Sequence, residues 1–145
     1  MMTFEEEIQN SGKLIYTTVG VSMRPLIKQG RDLLIVTKPQ GRLKKYDIPL
    51  YKRKNGQYVL HRVVKVKDDG YVILGDNCIK WENDIKDDQI IGVLTSLVRK
   101  GKEVDFDSFG YRFYSRAWYL LYPVRVIFMS ARRLAGKIKR KLIRK

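Results

Sequence analysis

Cysteine and histidine each occur once in this 145-residue chain, as Cys78 and His61. A single cysteine excludes an intramolecular disulfide framework and fits a reducing compartment. One His and one Cys, with no ligand spacing around either, give no basis for a metal centre, and no organic cofactor is implied. Long apolar runs are also missing: none approaches the roughly 20 residues needed to span a bilayer. The acidic N-terminus, "MMTFEEEIQN", lacks the basic-then-apolar order of a signal peptide. Acidic side chains are absent from residue 108 onward, a stretch that holds eleven Lys and Arg. No internal repeat or low-complexity linker is visible.

The rest is ordinary for a folded domain, with 44% hydrophobic residues. Net charge is +15, but the first 107 residues carry nineteen basic and fifteen acidic groups, a balance of only +4. This asymmetry predicts two parts, 1–107 and 108–145.

The first part is expected to be mainly β, a small antiparallel barrel or sheet with a short N-terminal helix. Over "TFEEEIQNSG", Thr3 can cap the helix, Glu6 sits three residues on and Gly12 can end it. Strands follow in "KLIYTTV", "DLLIV" and "YDIPLYKR", the last at an edge or with a bulge because of Pro49. Asn55-Gly56 is a strong hairpin signal and leads into "YVLHRVVKV". Asp69-Gly70 marks a second hairpin, into "YVILGDN". "QIIGVLTSLVRKG" is a last long strand, onto which "KEVDF" can pair back.

The second part is expected to be a basic amphipathic helical tail. Val124, Ile127, Phe128, Ala131, Leu134, Ile138 and Leu142 recur at three- and four-residue steps, with Lys and Arg between them. Pro123 either starts this helix or separates it from one over "YRFYSRAWYLLY".

The chemistry centres on "VGVSMRPLIKQG". Here Ser22 lies two residues after Gly20 and three before Pro25. A serine at a bend is most often structural, because a hydroxyl is a poor nucleophile without a base. The one histidine, His61, lies among valines and leucines, where a satisfied, partly buried ring is the common case. "LGDNC" closes a strand; Asp76 either makes an Asx-type turn, braces the site or orients an imidazole. Glu82 and Asp84 are further carboxylates. Cys78 is taken as a small buried residue.

Together these elements resemble the type I signal peptidase family of serine endopeptidases. The resemblance rests on Gly20-Val21-Ser22-Met23-Arg24-Pro25, then Gly30 and Asp32, His61-Arg62-Val63, Gly75-Asp76-Asn77, Asp84 and Ile91-Gly92-Val93. It covers residues 14 to 100 and lies in the shared order of motifs that are each weak alone. Histidine at position 61, where most bacterial members carry lysine, is similar to the endoplasmic reticulum and archaeal enzymes. Lys65 and Lys67 share the strand but not the motif position.

The resemblance implies a Ser22 nucleophile, a His61 general base and an orienting Asp76 or Asp84. It places Gly20 and Met23 at the oxyanion and substrate side. Gly20 supplies no side-chain donor there, and its missing Cβ leaves room for substrate backbone. Two departures stand out: Arg31 intervenes between Gly30 and Asp32, and Glu82 occupies the position six residues past Asp76 where histidine-type members carry a second aspartate. The implied substrate is a peptide or protein with a leader segment, bound as an added strand with small residues before the cut.

Family members commonly begin with a transmembrane helix. This chain instead offers the cationic tail, whose Trp118, Tyr119, Tyr122 and Phe128 suit a bilayer interface and whose Lys and Arg suit anionic headgroups. The alternative is a helical cap packed on the sheet through those aromatics. A cytoplasmic protein, peripheral at the membrane through residues 108–145, is expected. The high pI of about 10.0 also meets the first test for nucleic-acid binding. No helix-turn-helix partner or stacking-aromatic signature accompanies it, so no specific nucleic acid is expected. A non-catalytic basic module for nucleic acid or anionic membrane is the alternative to an enzyme.

Overall fold

Thr3 and Gly12 bound the first helix, α1 (Phe4–Ser11), in the computed structural model, which describes residues 1–144. The Thr3 hydroxyl accepts from the Glu6 N–H at 3.2 Å, and the Glu6 carboxylate accepts from the Thr3 N–H at 2.7 Å. Gly12 then turns left-handed at φ 79°, which a glycine does without a Cβ clash.

Among the described residues nine strands follow: β1 (Lys13–Tyr16), β2 (Asp32–Thr37), β3 (Pro49–Lys52), β4 (Tyr58–Leu60), β5 (Arg62–Lys67), β6 (Gly70–Leu74), β7 (Glu82–Ile85), β8 (Ile90–Arg99) and β9 (Lys102–Glu103). All pairings are antiparallel. The larger sheet runs β1-β2-β8-β3-β4, with β9 on the far part of β8; the smaller runs β5-β6-β7. The Asn55-Gly56 turn joins β3 to β4, and β5 pairs with β6 across Lys67 and Gly70. The return of "KEVDF" onto the last long strand occurs as expected, with Glu103 opposite Val98.

The expected single strand "YVLHRVVKV" is split in two. Its first half, β4, belongs to the larger sheet, and its second half, β5, to the smaller. His61 is the one residue between them, so the chain changes sheets at the histidine. Backbone bonds between Val63 and the Tyr46–Asp47 segment, both 2.8 Å, hold the crossing in place.

Burial follows the strand alternation. In β2, Asp32, Leu34 and Val36 face inward while Leu33 is exposed. Leu34, Val36, Leu94 and Leu97 join Ile8, Met23 and Ile27 in the main core. A second cluster, with Tyr51, Val63, Tyr71, Ile73 and Ile85, lies between the two sheets.

The helical segment comprises α2 (Phe109–Leu120) and α3 (Tyr122–Ile143), with Ser108 as N-cap of α2 and Pro123 in the first turn of α3. Tyr119 and Tyr122 pack on Val64, Val72 and Leu74 of the small sheet. Helix and strand hold comparable numbers of residues. The fold is therefore mixed α and β with antiparallel sheets rather than mainly β, and among the described residues no barrel closes. The expected helical tail carries most of the helix, α3 alone running 22 residues to Ile143. No described helix is long and apolar enough to cross a membrane.

Candidate active site

Ser22 lies on the loop between β1 and β2, which is fastened from two sides. At its far end, Asp32 is fully buried and takes hydrogen bonds from Arg31, from Arg99 and from the Lys28 N–H. Burial alone would raise the Asp32 pKa, but these donors outweigh it and hold the carboxyl down at about 2. Arg31 and Arg99 also bind the Leu26 carbonyl, at 3.0 and 2.6 Å. The Arg31 that departs from the expected Gly-Asp pattern thus anchors the loop.

On its other side the loop is stitched to the Gly75–Cys78 turn. The Asn77 N–H donates to the Ser22 carbonyl at 2.8 Å, and the Asn77 amide to the Val21 carbonyl at 3.1 Å. Gly75 is required by contact: a Cβ there would lie 2.8 Å from the Ser22 carbonyl oxygen and 2.6 Å from Cys78 Sγ. Met23 is a correction. It is buried in the core, where its sulfur faces the Asp76 N–H at 3.5 Å, and it does not reach the substrate side. Its apolar side chain finds more to cover it among Leu26, Ile27 and Leu34 than at a solvated rim.

Ser22, His61 and Cys78 line one cavity of about 480 Å³. The ring of His61 is buried, with Nδ1 3.3 Å from the Tyr51 hydroxyl and 3.4 Å from Glu82. Tyr51 donates its proton to Glu82, so its oxygen can only accept from His61. The neutral ring therefore carries its proton on Nδ1 and turns the Nε2 lone pair toward the cavity. Arg53 completes the group by binding both Glu82 oxygens, at 2.7 and 3.0 Å.

Burial would raise the Glu82 pKa, but hydrogen bonds from His61, Arg53 and Tyr51 hold it well below the carboxylate range. Burial likewise depresses the imidazolium of His61, yet the Cys78 thiol and Glu82 carboxylate overcome this and raise its pKa above the ordinary value. Burial and the Glu82 charge both push the Tyr51 phenol upward, so it stays protonated.

The two aspartates expected to orient His61 do not. Asp84 is exposed and paired with Lys86 at 2.7 Å. A bulge decides this. Tyr71 and Ile73 are two apart on β6, whereas their partners Ile85 and Glu82 are three apart on β7. The extra residue turns Glu82 inward beside Ile85 and leaves Asp84 outside. Asp76 is buried but spent elsewhere. Arg62 grips it through both oxygens at 2.8 and 2.9 Å, and Tyr114 donates to it at 2.7 Å. Its carbonyl accepts from Trp118 and Arg125, both at 2.7 Å. Arg62 also reaches the Ser115 hydroxyl at 3.1 Å. Asp76 braces the turn under Ser22 and locks α2 onto the body.

Gly20 sits beside the cavity loop at φ 100°, a conformation suited to glycine, with open space where a Cβ would point. Its N–H is taken by Gln29 at 3.0 Å. Among the described residues the Ser22 N–H meets no acceptor, and the Ser22 hydroxyl no hydrogen-bond partner. Cys78 Sγ lies 3.9 Å from His61 Nε2. Lys65 is exposed and Lys67 binds the Asn83 carbonyl, so neither lies at the cavity. Among the described residues no group of three or more His, Cys, Asp or Glu is placed to hold a metal ion.

Sequence reasoning did not find Tyr51 and Arg53, did not settle on Glu82, and set Cys78 aside. No protein-family model matches the chain, and no curated protein matches it either.

Proposed function

We propose that this chain is a serine endopeptidase of the signal peptidase type, cutting a leader segment from a peptide or protein. The peptidase unit is residues 1–107, with the helices from Ser108 appended. The observation that carries the reading is the Glu82–Tyr51–His61 chain, which turns Nε2 toward Cys78 and the cavity that Ser22 borders.

In this reading Ser22 Oγ attacks the peptide carbonyl carbon as its proton passes to His61 Nε2. The oxyanion takes the Ser22 N–H. Collapse breaks the C–N bond, and the amine leaves with the proton from His61. Water then attacks the acyl ester, again through His61, and restores Ser22. Glu82 stabilises the imidazolium at each stage. The edge strands β1 and β4 both border the cavity through Tyr16 and Tyr58–Leu60, so an extended peptide adds between them.

A second reading follows from Cys78, whose sulfur lies 3.9 Å from Nε2: a thiol nucleophile on the same base. Alanine at Ser22, His61 or Cys78 separates the two when cleavage is scored on a leader-peptide panel. The serine reading expects about a 10³-fold loss or more for Ser22→Ala and His61→Ala, with Cys78→Ala near wild type. Full activity in Ser22→Ala with loss in Cys78→Ala moves the nucleophile to the thiol. Full activity in His61→Ala ends both.

A further inference from the structure

We infer that α3 is an in-plane anchor for an anionic membrane surface. Its two halves differ. The first is tied to the body: Arg125 is buried, and its guanidinium binds the carbonyls of Trp118 at 3.0 Å and Asp76 at 2.7 Å. Beyond Ser130 every described residue but Gly136 is exposed. A free helix of that length is marginal in water, and its stability comes from covering an apolar face.

That face exists. Val124, Ile127, Leu134, Ile138 and Leu142 succeed one another at three-, four- and seven-residue steps, all more than half exposed, from 52% at Ile138 to 72% at Ile127. At 22 residues the helix is about 33 Å long, so the stripe is extended rather than a local patch. Lys137 and Lys141 flank it on one side and Arg132 and Lys139 on the other, Arg133 and Arg140 lie on the far face, and no acidic residue follows Asp107.

Charge selects the occupant. A second copy laid on the stripe would bring its own Lys and Arg rows against these with no carboxylate between them. A bilayer with anionic headgroups supplies apolar depth for the stripe and counter-charge on both flanks, while the Lys and Arg stems reach up to the phosphates.

Position adds a consequence, which rests on the peptidase reading. Val21 and Pro25 of the Ser22 loop share a groove of about 350 Å³ with Trp118, Phe128 and Met129. The Ser22 loop therefore borders the catalytic cavity through Ser22 and the first half of α3 through Val21 and Pro25. Docking α3 sets the cut site close to the headgroups and favours substrates tethered to the same membrane.

The test uses the full chain and vesicles of phosphatidylcholine with or without phosphatidylglycerol. Binding should require phosphatidylglycerol and fade with salt. The triple variant Lys137→Glu, Arg140→Glu and Lys141→Glu should weaken it by at least about tenfold. Leu134→Gln, Ile138→Gln and Leu142→Gln together keep the charge and a good helix former, and should weaken it comparably. Unchanged binding in the Gln variant overturns the anchor, as does wild-type dimerisation in sedimentation that the Gln variant abolishes. So does duplex DNA binding as tight in the Gln variant as in wild type, with vesicles ignored by both. In both variants cleavage of a soluble leader peptide should equal wild type, while a lipid-tethered one should lose its acceleration on anionic vesicles. Vesicle binding with no cleavage of either peptide leaves the anchor standing and sinks the peptidase reading alone.

Discussion

Two carboxylates of the fold have nearly the same companions. Asp76 has a bidentate arginine, Arg62, and a tyrosine hydroxyl, Tyr114. Glu82 has a bidentate arginine, Arg53, and a tyrosine hydroxyl, Tyr51. What differs is the fourth side. Helix α2 closes over Asp76, so that its side chain and that of Arg62 are 2% and 3% exposed. At Glu82 the fourth side is an imidazole whose other nitrogen faces a cavity, and the Arg53 side chain is 32% exposed. The same three-residue device is a structural knot where all its capacity is used, and a seat for chemistry where one group keeps a free lone pair.

Breaking the knot should give the largest effect. Arg62→Leu leaves the Asp76 charge buried without its partner, at a cost of about 3–5 kcal/mol. The loss extends to the Tyr46 carbonyl and Ser115, which Arg62 also binds. Arg53→Leu, at a partly exposed site, should cost on the order of 1 kcal/mol. Urea midpoints at fixed pH measure both, and equal losses would erase the distinction between the two centres. This contrast also forbids treating residues 108–145 as detachable, because removing α2 strips Asp76 of Tyr114 and Trp118.

Next in size is the seat itself. Glu82→Gln keeps the shape, removes the charge that joins Cys78 in holding up the His61 pKa, and should slow cleavage by about 10²-fold. The sign of the pH effect is set by the raised pKa of His61. The base works when neutral, so the acid limb of kcat/KM in the wild type lies above the ordinary histidine value. In Glu82→Gln that limb should move to lower pH. Stability runs the other way: the charged His61–Glu82 contact is fully present below the unfolded histidine pKa and is lost as pH rises through the folded one. Activity should therefore climb over the interval in which this contact fades. A pH–rate profile identical in the two proteins would detach Glu82 from the base.

Much of this could have been traced from residue order. The Thr3–Glu6 capping pair, the Asn55-Gly56 hairpin and the return of Lys102–Glu103 are local features, dictated by side chains within a few positions. Tyr51 was within reach too. The hairpin sets Tyr51 opposite Val59, and period-two alternation then puts Tyr51, Arg53 and His61 on one face. The rest depended on events that leave no local mark. The switch of sheets at His61 is a tertiary choice between two hydrogen-bonding partners. The capture of Asp76 by Arg62 needs a pairing across β5 and the turn after β6, and its completion needs Tyr114 from a helix 38 residues on. The bulge in β7 shows only in its register against β6.

The smallest expected effect sharpens the comparison most. Glu82 and Asp84 are two apart, and unbroken alternation would give them one face and equal claim to His61. With the bulge, Asp84 is left 64% exposed and salt-bridged to Lys86, which is itself shared with Asp69. Asp84→Asn should shift stability by no more than about 0.5 kcal/mol. The acid limb of its cleavage profile should coincide with wild type, because neither Tyr51 nor Arg53 touches Asp84. A shift of that limb as large as in Glu82→Gln would mean that β7 pairs without its extra residue in solution. Asp84 would then take the inward position, and the seat described for Glu82 would belong to its neighbour.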